Sequence, residues 1–200
     1  MRFVFVAGLF WSAAGFAAAS DFVDIRKVDF TVRLDIRYAT PNNFMKKAVY
    51  PEAKCALRKP VAIALSKAQS ELKLVGLSLK VYDCYRPLSV QRKLWEITPD
   101  ERYVANPEKG SKHNRGAAVD LTMVDTSGNE LEMPSRYDEF TERAHRNYQG
   151  GSKKALANRK RLEEVMTRAG FAGLDTEWWH FDYKGWEKYD LEDVSLADIQ

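Results

Sequence analysis

Two short segments limit what this chain can fold into more than any others. They are Ser111-Lys112-His113-Asn114-Arg115-Gly116-Ala117-Ala118-Val119-Asp120 and Glu177-Trp178-Trp179-His180. They hold two of the three histidines, an aspartate seven residues after the first, and a glutamate three residues before the second. Two imidazoles, one carboxylate and an open fourth position form the donor set of a catalytic zinc. A further carboxylate beside such an ion can serve as general base. A fold that uses this set must bring distant stretches of chain side by side. The pattern predicts a zinc hydrolase with one ion per chain.

The first twenty residues differ in kind. Arg2 precedes an apolar run from Phe3 to Phe16, and Ala17-Ala18-Ala19-Ser20 follows. A basic start, an apolar core and a small-residue end describe a secretory signal peptide cleaved after Ala19 or Ser20. An uncleaved N-terminal anchor is the alternative, although the run is short for a bilayer span. No cysteine follows the run, which argues against a lipoprotein. The expectation is a leader over residues 1–20, one domain over 21–200, and a periplasmic or secreted protein.

Without Arg2, 30 basic residues face 28 acidic ones. A net charge of +2 leaves no footprint for nucleic acid or an anionic membrane. No second apolar segment is long enough to span a bilayer, so no stable membrane association is expected after cleavage. Cys55 and Cys84 are the two cysteines. An even count in an exported chain permits a disulfide. It would close a loop of about 30 residues and contribute about 3 kcal/mol. Two buried free thiols fit the count as well.

Alternation of Val28, Phe30, Val32, Leu34 and Ile36 predicts one strand from Asp24 to Ala39. Pro60 opens a helix running to Leu74, which Gly76 ends. A strand over Leu77–Tyr82 stops at Pro87, and Ser89–Ile97 reads as helix. Thr98–Lys112 is a polar loop. Ala117–Val124 is an apolar strand, with a hairpin return through Leu131 after Ser127-Gly128-Asn129. Asp138–His145 reads as helix. Lys153–Ala169 is an amphipathic helix capped by Gly170, and Phe171–Leu174 links it to a strand over Glu177–Tyr183. The sum is an α+β domain with a central, largely antiparallel sheet flanked by helices.

His113 then sits at the mouth of a strand and Asp120 inside it. An aspartate between Val119 and Leu121 is costly to bury unless paired or metal-bound. Taken singly, His113 reads as a polar loop residue and Asp120 as a hydrogen-bonded carboxylate; together they point to a metal. Glu177 is an odd step from His180, so in a regular strand the two face opposite ways. A bulge or turn at the start of that strand is needed to aim Glu177 at the metal. Otherwise it is a strand-edge acid. Trp178 and Trp179 read as wall and core. Arg86, at a strand end, reads as a surface arginine or as a guanidinium able to hold an oxyanion. His145 is a structural residue or a substitute ligand.

Ser111-x-His113-x-Arg115-Gly116-x-Ala118-x-Asp120 with Glu177-Trp178-Trp179-His180 resembles the D-alanyl-D-alanine dipeptidases of the VanX type. These belong to the zinc D-Ala-D-Ala peptidases that share a fold with the Hedgehog signalling domain. Tyr38-Ala39-Thr40 with Asn43-Phe44, Tyr82-Asp83-Cys84-Tyr85-Arg86-Pro87 and Ser135-Arg136-Tyr137-Asp138 extend the resemblance over the mature chain.

The resemblance implies zinc on His113, Asp120 and His180, Glu177 as base and Arg86 as transition-state stabiliser. It implies Asp138 as partner of a substrate ammonium and Ser111 as a contact to substrate backbone, and it offers Tyr103 as a pocket tyrosine. A charge-paired ammonium in a closed pocket favours a small D,D-dipeptide over longer chains. Known resistance enzymes of this type are cytoplasmic, so the leader points instead to cell-wall dipeptide turnover outside the cytoplasm. A D,D- or L,D-carboxypeptidase acting on peptidoglycan stem peptides is the alternative enzyme. A non-catalytic zinc module predicts loss of the base or the arginine, and the chain has both.

Overall fold

A computed structural model describes residues 21–199. The predicted leader lies outside the described residues. Two sheets form. β1 (Phe22–Asp24) pairs antiparallel with β3 (Ala56–Arg58). The larger sheet contains β2 (Arg33–Leu34), β4 (Ser78–Asp83), β5 (Ala118–Val124), β6 (Phe171–Leu174) and β7 (Glu177–Tyr183). Its order is β2-β4-β5-β7-β6, and only β2–β4 is parallel. The predicted α+β domain with a largely antiparallel sheet is what forms.

Two helices cover this sheet. α2 (Lys59–Lys73) begins with Pro60 in its first turn, where a missing N–H costs nothing. It buries Val61, Leu65, Ala68 and Leu72 on one face, at helical spacing. α4 (Lys153–Arg168) starts at Ser152, whose hydroxyl accepts from the Ala155 N–H, and buries Ala155, Leu162, Val165 and Met166. α2 packs on β4, α4 on β6, and the helices touch each other. α3 (Leu88–Ile97) stands beyond the end of β4. Among the described residues no helix is long and apolar enough to cross a membrane.

A disulfide joins Cys55, just before β3, to Cys84, just after β4, with Cα atoms 5.2 Å apart. The two sheets are thus tied covalently, and the free-thiol alternative is set aside. Both cysteines are buried.

Four expectations need correction. Phe171–Leu174, read as a link, is itself the edge strand β6, paired antiparallel with β7. The stretch from Asp24 to Ala39 is not one strand. Asp24 caps the short helix α1 (Ile25–Val28) by accepting from the Arg26 N–H. Asp29 then accepts from both the N–H and the hydroxyl of Thr31 and turns the chain. Such local side-chain bonds compete with a sheet ladder. Val28 and Phe30, counted into the alternation, are 37% and 80% exposed. Asp138–His145 is not a helix: it is irregular apart from a 3-10 turn at Glu142–Ala144. Asp138 has φ 56°, which no right-handed helix admits. The hairpin return after β5 reduces to a single bridge, Val124 to Glu130, with the Leu131 N–H on the Met123 carbonyl.

Candidate active site

Sheet register builds the site. Asp83, Asp120 and His180 stand opposite one another across β4, β5 and β7, so one row of side chains crosses three strands. His113 joins them from the 3-10 turn His113–Arg115. That turn ends at Gly116, with φ +66° and the Phe22 ring 2.2 Å from where a Cβ would stand. Only glycine fits both the conformation and the space.

His113 Nε2, His180 Nδ1 and Asp120 Oδ1 form a triangle. Its sides are 3.2 Å between the nitrogens, 2.9 Å from His180 to Asp120, and 3.3 Å from His113 to Asp120. Tetrahedral zinc with ligand bonds of about 2.0–2.1 Å spaces its donors about 3.3 Å apart. The hydrogen bonds behind each donor fix where its lone pair points. His113 Nδ1 lies 2.6 Å from the Cys84 carbonyl, which can only accept, so that nitrogen carries the proton. His180 Nε2 lies 2.9 Å from Asp182 Oδ1 and donates to it. Tyr137 donates its hydroxyl to Asp120 Oδ2 at 3.1 Å. Three lone pairs therefore face one point, an arrangement that repels unless a cation fills it. The donor chemistry and the outer partners both fit a zinc ion.

The charges say the same. Burial opposes a charged His180, but Asp120 and Asp182 outweigh it and push it up to about 10. Burial would raise Asp120, yet the His113 and His180 rings hold it well below the usual carboxylate range. The cluster demands positive charge, which a proton or a divalent ion can supply.

All the predicted site residues line one cavity of about 200 Å³. Glu177 lies in its wall beside the three ligands. Strand parity, which sets Glu177 against His180, is broken by a slip in the β6–β7 ladder: Gly173 pairs Phe181, but the next residue, Leu174, pairs Glu177. The required irregularity is real. Burial pushes the Glu177 carboxyl up to about 7; the nearby His180 pulls it down and the Asp120 charge pushes it up. Arg86 is buried against Asp83, with Nε at 3.1 Å and Nη2 at 2.6 Å from Oδ2, while Nη1 donates to Gln91 at 2.9 Å. Those bonds use three of its five N–H donors and leave two.

Asp138 lines the same cavity and accepts from the Tyr38 hydroxyl at 3.3 Å. Burial, then the negative Asp120 and Glu177, raise its carboxyl well above the usual range. Ser111 is buried at the cavity edge, its hydroxyl accepting from the His113 N–H. Tyr103 stacks on Phe140 with centroids 4.7 Å apart. Trp178 and Trp179 are buried as wall and core. His145 lies outside the ligand cluster. Beyond Asp138 and Phe44 lies an open groove of about 1070 Å³, whose lining includes no ligand of the triangle.

Sequence reasoning missed the supporting groups Asp83, Gln91, Tyr137 and Asp182. Asp182 was within reach: it stands two residues after His180 and so shares its face of the strand. Tyr137 is brought in by a loop and left no local signal.

Converging imidazoles and a carboxylate that could hold a metal ion share one small cavity with a second carboxylate and a guanidinium. The chain belongs to the D-Ala-D-Ala dipeptidase family of peptidases, which matches residues 18–195, and it is therefore a hydrolase. It is 39% identical to the D-alanyl-D-alanine dipeptidase of Escherichia coli (strain K12), over 90% of this chain and 91% of that one. It is 33% identical to the enzyme of the same name from Enterococcus faecalis (strain ATCC 700802 / V583), over 75% and 85%. Among solved structures, VanYB in complex with D-alanine-D-alanine is similar at a TM-score of 0.45 and 18% identity, over 69% of this chain and 77% of that one.

Proposed function

We propose that the chain hydrolyses the dipeptide D-Ala-D-Ala to two molecules of D-alanine, with one zinc ion held by His113, Asp120 and His180. The observation that carries this reading is the triangle of lone pairs on the same cavity as the Glu177 carboxyl. An ion in this donor set supplies Lewis acidity toward a water and a peptide carbonyl.

Glu177 takes a proton from the attacking water and returns it to the leaving amine. Its raised pKa suits both transfers near neutral pH. Arg86, fixed by Asp83 and Gln91, turns its two remaining N–H groups to the developing oxyanion. Asp138 pairs with the free ammonium of the dipeptide, which adds positive charge beside a carboxyl raised by burial and by Asp120 and Glu177. Ser111 contacts substrate backbone, and Tyr103 with Phe140 forms an apolar wall. The leader sends the protein to the periplasm or outside the cell, where it acts on dipeptide released from the cell wall.

The open groove beyond Asp138 favours a second reading, a carboxypeptidase on peptidoglycan stem peptides, because it offers room for a longer chain. One assay separates them. Purified mature protein is given D-Ala-D-Ala or its N-acetylated form, with zinc or with chelator. The expected result is chelator-sensitive cleavage of the free dipeptide only. Cleavage of the blocked peptide supports the carboxypeptidase, and cleavage of neither sinks both.

A further inference from the structure

The slip that aims Glu177 leaves a gap in the β6–β7 ladder. Trp178, Trp179 and His180 face the single peptide link between Gly173 and Leu174. Regular pairing cannot satisfy the carbonyls on either side of that slip, and buried carbonyls need partners. One side chain supplies them. Arg146 donates Nε to the Leu174 carbonyl at 2.9 Å and Nη2 to the His180 carbonyl at 2.7 Å. Its own N–H donates to the Asp175 carbonyl at 2.9 Å.

The guanidinium is placed by shape as well. It lies 4.3 Å over the Phe181 ring. It occupies the space in front of Gly173, where a Cβ would stand 2.2 Å from Arg146 Cζ. Its side chain is only 8% exposed, and Nη1 has no hydrogen-bond partner, with Glu163 3.7 Å away. A buried cation whose Nη1 is left without a hydrogen-bond partner is costly to the fold. The pair of carbonyls it bridges explains its place. One belongs to a proposed metal ligand, and the other belongs to the residue paired with Glu177.

We infer that Arg146 is the positioning residue that sets Glu177 and His180 relative to each other. It replaces the ladder bonds lost at the slip and touches neither substrate nor metal. This rests on the reading of Glu177 and His180 given above. The planar fork spans two carbonyls, and a lysine ammonium offers no such fork.

The test uses Arg146→Lys, Arg146→Met and Gly173→Ala in the mature protein. The last pushes the guanidinium off its site and keeps its charge. Three readouts are taken: kcat and KM on D-Ala-D-Ala, zinc affinity by competition with a chromogenic chelator, and thermal unfolding. The expected result for each folded variant is roughly a 10- to 100-fold loss in kcat or in zinc affinity, with KM changed little. Arg146→Lys with wild-type kcat and zinc affinity overturns the inference. So does a loss that only tracks the fraction unfolded. Should Arg146→Met fail to fold, the other two variants decide. Wild-type turnover tests the dipeptidase reading separately, and zinc affinity tests Arg146 whether or not turnover is seen.

Discussion

The Glu177 carboxyl sits on the cavity of the ligand triangle with its pKa pushed up to about 7. A base works only when deprotonated, so the rate falls as pH drops through that value. A nearby divalent ion favours the carboxylate and moves the midpoint down. The expected kcat/KM profile has an acid limb at or below pH 7, and a rate flat down to pH 4 would remove Glu177 as the base. Glu177→Gln should retain zinc, by metal analysis, and lose about 10²- to 10⁴-fold in kcat. Loss of metal with activity would refute the assignment. Asp138 carries a different load. Its carboxyl is raised by burial and like charges, and pairing with an ammonium favours its charged form. Asp138→Asn should raise KM for D-Ala-D-Ala roughly 10- to 100-fold with kcat changed far less, read from steady-state kinetics; an unchanged KM would remove Asp138 as the ammonium partner. That His113, Asp120, His180 and Glu177 would converge was legible at this scale because their residue types leave few other chemistries. Tyr137 and Asp83 were not, since nothing in a lone tyrosine or aspartate says which distant atom it will meet.

At the scale of elements, legibility followed length. α2 and α4 each show one apolar stripe over four turns, and the structure reproduces both nearly to the residue. β5 and β7 were clear because their β-rich runs are bounded by loops. The alternation over residues 24–39 misled because period-two hydrophobicity cannot report the Asp24 cap or the Asp29 turn. The run after Asp138 failed for a similar reason. It has helix-forming residues, but Asp138 takes φ 56°, which no right-handed helix admits. The β6–β7 slip could be demanded from parity but not located. The turn that delivers His113 makes its own prediction. Gly116→Ala places a Cβ in the left-handed region and against Phe22. It should cost at least 1–2 kcal/mol, on the order of 2–8 °C in Tm for a domain of this size. An unchanged Tm would mean that the turn can relax.

For the whole molecule, the disulfide and an ion at the proposed site would each join segments far apart in the chain. The three proposed ligands come from a turn, β5 and β7, so an ion among them crosslinks the sheet. Anything that binds the native state alone stabilises it by mass action. Chelator should therefore lower Tm, and restored zinc should return it. Identical melting with and without chelator would argue against an ion at this point. The α+β class and the single domain were readable from the order of elements. The way the small β1–β3 sheet locks to the large one was not, because it depends on contacts between segments far apart in the chain. The leader is a separate matter, to be settled by N-terminal sequencing of exported protein, with Asp21 or Ser20 expected first.

Cys84 has two jobs in this structure. Its sulfur bonds to Cys55, and its carbonyl accepts a hydrogen bond from the N–H of His113 Nδ1. Its N–H also donates to Asp83, the residue that grips Arg86. One residue thus joins the covalent bridge to both halves of the chemistry. Reduction frees the peptide on which the His113 tautomer and the Arg86 guanidinium depend. Zinc affinity should fall roughly tenfold in the reduced chain, read by chelator competition with and without dithiothreitol. Maturation then has an order: a chain oxidised first meets zinc with its imidazole already turned, whereas one loaded first must hold the ion on an unbraced ring.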